Sequence, residues 1–154
     1  MKTIILLVAA FSFYLSASCQ LTVPELMTLA ETPMDEVEDY LLKKKFEFYS
    51  NDENDSCSTI TYLSDSPKRF VYINNCLDVK HMISYETPNQ TEYTSARSLV
   101  KKEGYELVRT DSTTEGILAY YYKKGNWIVV LQTLKDKEYN DGKAFYLISA
   151  VKQS

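Results

Sequence analysis

The chain is short of the residues on which most catalysis depends. Its 154 residues include one histidine, one tryptophan, four glycines and four prolines. No Gly-x-Ser-x-Gly elbow, no His-Glu-x-x-His pair and no glycine-rich phosphate loop occurs. Three cysteines and one histidine are too few for a structural zinc site, so neither a metal nor a cofactor is expected. No basic run is long enough to track a phosphate backbone, which argues against nucleic acid. Thirteen tyrosines set against so little glycine and proline favour sheet over disorder.

What is present begins with an export signal. Lys2, an unbroken apolar run over 4–15 and the small residues Ser16, Ala17 and Ser18 make up the three parts of a secretory signal peptide, read as residues 1–19. The apolar run is too short to span a bilayer at roughly 20 residues per crossing, and no later stretch is apolar enough, so no transmembrane segment is expected. A cut after Ser18 leaves Cys19 first, as the candidate for lipid attachment and a tether to the outer membrane. A cut after Cys19 leaves Gln20 first and the protein free in the periplasm or outside the cell. The segment 15–19 is only loosely like a bacterial lipoprotein signal, because Leu15 stands one place too far from the cysteine. About 135 residues follow, read as one domain over 20–154. Once Lys2 leaves with the leader, that domain carries a net charge of about −5.

Along the chain, Thr22-Val23-Pro24-Glu25 reads as a capping box opening a helix to about Glu31. Thr32-Pro33 opens a second helix, with Met34, Val37 and Leu41 on one stripe, ending near Lys45. A strand over 46–49 and a polar loop over 51–56 precede two strands, 58–63 and 70–74. If that hairpin folds about Ser66-Pro67, Tyr62 faces Val71, Ile60 faces Ile73 and Cys57 faces Cys76. The last pair predicts a cross-strand disulfide in an oxidising compartment. A strand over 81–86 follows, and Pro88 ends it. A third helix opens at Thr91 with Tyr93, Ala96 and Val100 on its stripe, and Gly104 stops it. Strands over 105–108, 117–123, 127–134 and 144–151 complete the chain. They are separated by a polar loop over 110–115, a Gly125-Asn126 turn and an Asp141-Gly142 turn.

Shifting the chain by 59 places lays Leu41 on Val100, Phe46 on Tyr105 and Tyr62 on Tyr121, without a gap over 32–63. It also carries the Ser66-Pro67 midpoint onto Gly125-Asn126. This predicts an α+β fold built as a tandem repeat, a helix followed by an antiparallel meander, over about 32–90 and 91–154, with the helices on one sheet face. The layout resembles the tandem repeats of the β-lactamase inhibitor protein and the smaller outer-membrane lipoprotein domains of the SmpA/OmlA type, in order and length rather than in residues. The charged helix running into Lys43-Lys44-Lys45-Phe46-Glu47-Phe48 also resembles uncharacterised exported proteins of Bacteroidetes type, which implies a Gram-negative envelope and no particular activity.

Candidate chemistry is thin. His81 reads as a surface residue, and Asp52-Glu53-Asn54-Asp55-Ser56 lacks the glycine and closing glutamate of a calcium loop. Glu47 and Glu106, at matching places in the repeat, are a weak candidate for an acid–base pair. Alternation predicts a helix-covered set of Ile60, Tyr62, Val71 and Ile73 with Ala119, Tyr121, Ile128 and Val130. The opposite face then carries Tyr72, Tyr120, Tyr122 and Trp127, residue types that anchor interfaces. The expectation is therefore a non-enzymatic module that binds a protein partner through those four residues, of inhibitor or immunity type. The other reading is an envelope lipoprotein, held by Cys19, with a role in structure or assembly.

Overall fold

The computed structural model describes residues 19–65, 68–76, 79–113, 116–135 and 144–153. The signal-peptide residues before Cys19, the Ser66-Pro67 turn and the Asp141-Gly142 turn lie outside the described residues. The elements run α1 (Val23–Leu29), α2 (Met34–Lys43), β1 (Glu47–Glu53), β2 (Cys57–Asp65), β3 (Lys68–Cys76), β4 (Val79–Thr87), α3 (Gln90–Lys102), β5 (Glu106–Ser112), β6 (Leu118–Lys124), β7 (Trp127–Lys135) and β8 (Ala144–Lys152). All eight strands join one antiparallel sheet in the order β1-β2-β3-β4-β8-β7-β6-β5. The protein is thus a mixed α+β fold. Each half runs helix and then four-stranded meander, and the last strands of the two halves, β4 and β8, pair to form the seam.

The helices form where their caps dictate. Thr22 Oγ1 accepts from the Glu25 amide while the Glu25 carboxylate accepts from the Thr22 amide, which satisfies two orphan donors at the start of α1. Thr32 does not cap α2. Its hydroxyl reaches back to the Thr28 carbonyl at 2.8 Å, and Pro33 holds the cap position with no side-chain hydrogen bond. The third helix opens one residue earlier than Thr91, capped by Asn89, whose Oδ1 accepts from the Thr91 amide at 2.9 Å.

The two helix ends are alike in detail. Lys45 (φ 66°) and Gly104 (φ 79°) both take the left-handed conformation. The Phe46 amide then donates to the Leu41 carbonyl at 2.9 Å, and the Tyr105 amide to the Val100 carbonyl at 3.0 Å. Each helix leads into an edge strand with an irregular register at the same place, between Phe48 and Ser50 in β1 and between Leu107 and Arg109 in β5. Both edge strands extend beyond the predicted strands into the polar runs at 51–53 and 110–112, because pairing with β2 and β6 overrides a composition that alone reads as loop.

One buried cluster lies between helices and sheet. It takes Leu26 and Leu29 from α1, Val37 and Leu41 from α2, Ala96 and Val100 from α3, and Tyr62, Val71, Ile73, Ile83, Tyr85, Tyr122, Val129, Leu131 and Ile148 from the strands. α1 stands over the seam, touching β4, β8 and α3. Cys57 and Cys76 are directly opposed and bonded, with Cα atoms 4.1 Å apart, as their register requires.

Candidate functional site

The sheet face away from the cluster is the candidate. Its central row runs Thr61, Tyr72, Ser84, Ser149, Val130 and Tyr121 across six strands. At the seam, the Ser84 and Ser149 hydroxyls hydrogen-bond each other at 2.8 Å. A depression of about 350 Å³ opens there, lined by strand residues only, with Tyr72 at one side and Tyr121 at the other.

On the first half of this face, aromatic rings follow one another. Tyr49 meets Phe70 edge-on with centroids 6.1 Å apart, Phe70 stacks on Tyr72 at 5.9 Å, and the Lys68 ammonium lies 5.3 Å from the Phe70 centroid. The Tyr72 hydroxyl donates to Glu86 at 2.7 Å. Burial raises the Glu86 carboxyl above its ordinary range, partly offset by the Tyr72 hydrogen bond and the Lys68 charge. Burial and the Glu86 carboxylate likewise push the Tyr72 phenol up, so it stays a neutral donor. On the second half, Arg109 lies 5.0 Å from the Tyr121 centroid while its Nε donates to Asp111 at 2.8 Å.

Of the four predicted interface residues, the structure leaves only Tyr72 on this face. Tyr122 is 2 % exposed in the cluster beneath the helices, where Tyr120 and Trp127 also pack. Tyr121 and Val130, predicted for the core, face the other way. The cause is one residue. In the first half Phe48 pairs with Tyr62, and in the second Leu107 pairs with Tyr122, not Tyr121. The turn before β2 closes from the Asn54 amide to the Cys57 carbonyl, but that before β6 closes from Thr113 to Ile117, with Gly116 at φ 84°. The 59-residue shift thus becomes 60 at β6, and a slip of one residue turns every side chain of a strand to the opposite face. A second turn containing a glycine that the first lacks was the signal for it.

Other sequence candidates are kept apart. Glu47 on β1 and Glu106 on β5 occupy the two opposite edge strands, with six strands between them in the sheet order, so the strand order does not assemble them as one acid–base pair. Asn54 Oδ1 accepts from the Ser56 and Cys57 amides, so the acidic run folds as an asparagine turn. His81 is exposed at φ 33°. Among the described residues no group of three or more His, Cys, Asp or Glu side chains is placed to hold a metal. No helix among them is long and apolar enough to cross a membrane.

A second polar cluster lies inside. Arg69 on β3 forms an ion pair with Glu92 on α3, the Tyr85 hydroxyl donates to Glu92 at 2.6 Å, and Arg69 Nη1 donates to Cys19 Sγ at 3.0 Å. Burial alone would raise the Glu92 carboxyl, but hydrogen bonds from Arg69 and Tyr85 hold it below its ordinary value. Every member is buried. This cluster joins the first meander to α3 and the N-terminal segment, a structural task.

Comparison with protein-family models, with curated proteins and with solved structures finds no match.

Proposed function

We propose that the chain is an exported, non-enzymatic protein-binding module of inhibitor or immunity type, acting through the sheet face opposite the helices. The observation that carries this reading is the run Tyr49–Phe70–Tyr72, continued across the depression by Tyr121, on the face opposite the described helices. Rings of this kind bury a large rigid area while keeping a polar edge for hydrogen bonds, the composition of interface anchors. The disulfide fits an oxidising compartment, periplasmic or extracellular. The matched helix ends, edge-strand irregularities and strand order support a further reading, that the two halves are copies of one helix-plus-meander unit. In that reading α1 is the one helix outside the copies.

Site-specific photo-crosslinking separates the two faces. A crosslinker in place of Phe70 or Tyr121 should capture one defined partner from the exported proteins of the source cell, and Tyr72→Ala/Tyr121→Ala should abolish the adduct. A crosslinker in place of Tyr120 should capture nothing. Equal capture from both faces, or an adduct indifferent to the double substitution, would reject the reading.

A further inference from the structure

The N-terminal segment enters the core at once. Cys19 is 7 % exposed, Leu21 is 2 % and Val23 is 3 %, and Thr22 between them caps α1. Only Gln20 and Thr22 stand between buried positions, so no stretch of free chain separates Cys19 from the domain. The cysteine sulfur is one of the partners of the Arg69 guanidinium: Nη2 is held by Glu92, Nη1 donates to Sγ, and Nε is buried with no partner among the described residues.

We infer that Cys19 is a structural residue of the mature domain, kept by the maturation cut and left as a free, unacylated thiol. A lipid anchor at this residue would be a thioether bearing a glyceride. Its acyl chains would have to leave a buried site, and the bulk at sulfur would displace the Arg69 guanidinium from a buried ion pair. A cut after Cys19 would instead remove the sulfur and leave Nη1 a second unpaired donor on one buried cation, where each such group is unfavourable. The thiol is also safe from exchange with the disulfide. Arg69 and Cys76 lie at opposite ends of β3, seven residues or roughly 23 Å apart along an extended strand. The inference does not depend on which sheet face binds a partner.

The test uses the full chain, expressed with its own leader in a Gram-negative host, followed by intact mass and thiol alkylation without reductant. The expected mass is that of a chain starting at or before Cys19 with no glyceride. One thiol should react, about a hundredfold more slowly in the native protein than in urea, the protection of a closed site. A diacylated mass, a chain starting at Gln20, or a thiol that reacts equally fast in both states would overturn it. A second measurement guards against aberrant processing. Of two refolded chains, the one starting at Gln20 should unfold at lower denaturant than the one starting at Cys19, and coincident midpoints would also overturn the inference.

Discussion

The two halves of the molecule share an order of elements yet hold their first hairpins differently. In the first half β2 and β3 are nine residues each and a disulfide clips their open end. In the second half β6 has only seven residues, and its partner β7 has no covalent link to it. The clipped hairpin is flanked by an edge strand whose exposed pair is aromatic, Phe48 and Tyr49. At the matching place in β5 the exposed pair is aliphatic, Leu107 and Val108. A helix-plus-meander unit thus tolerates different closures of its hairpin as long as the side chains over the helix keep their face. Tyr62 and Tyr122, both 2 % exposed, occupy that place through different registers.

The buried Arg69–Glu92 pair ties the halves together, so breaking it gives the largest expected effect. Arg69→Met leaves Glu92 uncompensated, and loss of one partner of a buried pair destabilises by about 3–5 kcal/mol. Trp127 reports from the second half, which makes the outcome decisive. Its fluorescence and the far-ultraviolet circular dichroism should shift together to lower urea. If the fluorescence midpoint stays where it was, the halves unfold independently and the link is idle. Next in size is Cys57→Ala/Cys76→Ala. With a sequence separation of 19 between the cysteines, the chain-entropy argument assigns the bridge about 3 kcal/mol, and the same urea titration measures it. A loss under about 1 kcal/mol would mean that ladder pairing alone holds the first hairpin as it holds the second.

Most of this architecture was legible because its signals are local. Alternation fixed the first hairpin, and the Cys57–Cys76 opposition followed from the turn position. Apolar stripes, with Gly104 as a left-handed stop for α3, located α2 and α3 to within about two residues. The candidate site was harder to read. Whether Tyr121 or Tyr122 faces the helices depends on one residue in a polar turn, where Gly116 is the sign of the longer count. The Arg69–Glu92 pair joins residues that sequence pattern never relates, because an arginine at a hairpin end and a glutamate in the first turn of a helix each read as solvated charge.

Between α1 and α2 a smaller effect depends on pH. Glu25 accepts from Tyr40 Oη at 2.6 Å and from Lys44 Nζ at 2.7 Å. Burial opposes the charge, but the hydrogen bonds from Lys44, Tyr40 and Thr22 prevail and lower the carboxyl from 4.5 to about 2. A depressed carboxyl stabilises the fold fully above its unfolded value and loses that contribution as pH falls. Comparing wild type with Glu25→Gln should therefore give a constant difference above pH 5 that vanishes towards pH 2. The site is partly open to solvent, so the plateau is expected near 1 kcal/mol. A difference that is the same at pH 3 and pH 7 would show that Glu25 acts through its cap geometry and not its charge. The second half has no equivalent, since this contact belongs to α1.

The finest comparison concerns Lys45 and Gly104, which end α2 and α3 with the same left-handed turn and the same hydrogen bonds. A residue with a Cβ is strained at such a φ, whereas glycine is not, so the first half carries a cost of about 1 kcal/mol that the second avoids. A Cβ at Gly104 would meet no atom within 4 Å, so the effect of adding one is conformational and not steric crowding. Lys45→Gly should then stabilise the protein by about 0.5–1 kcal/mol and Gly104→Lys should destabilise it by a similar amount. The double exchange should leave the urea midpoint nearly where it began. Effects of the same sign in both single variants would mean that the Lys45 side chain contributes something at the helix end beyond its backbone, and the two helix ends would no longer be equivalent.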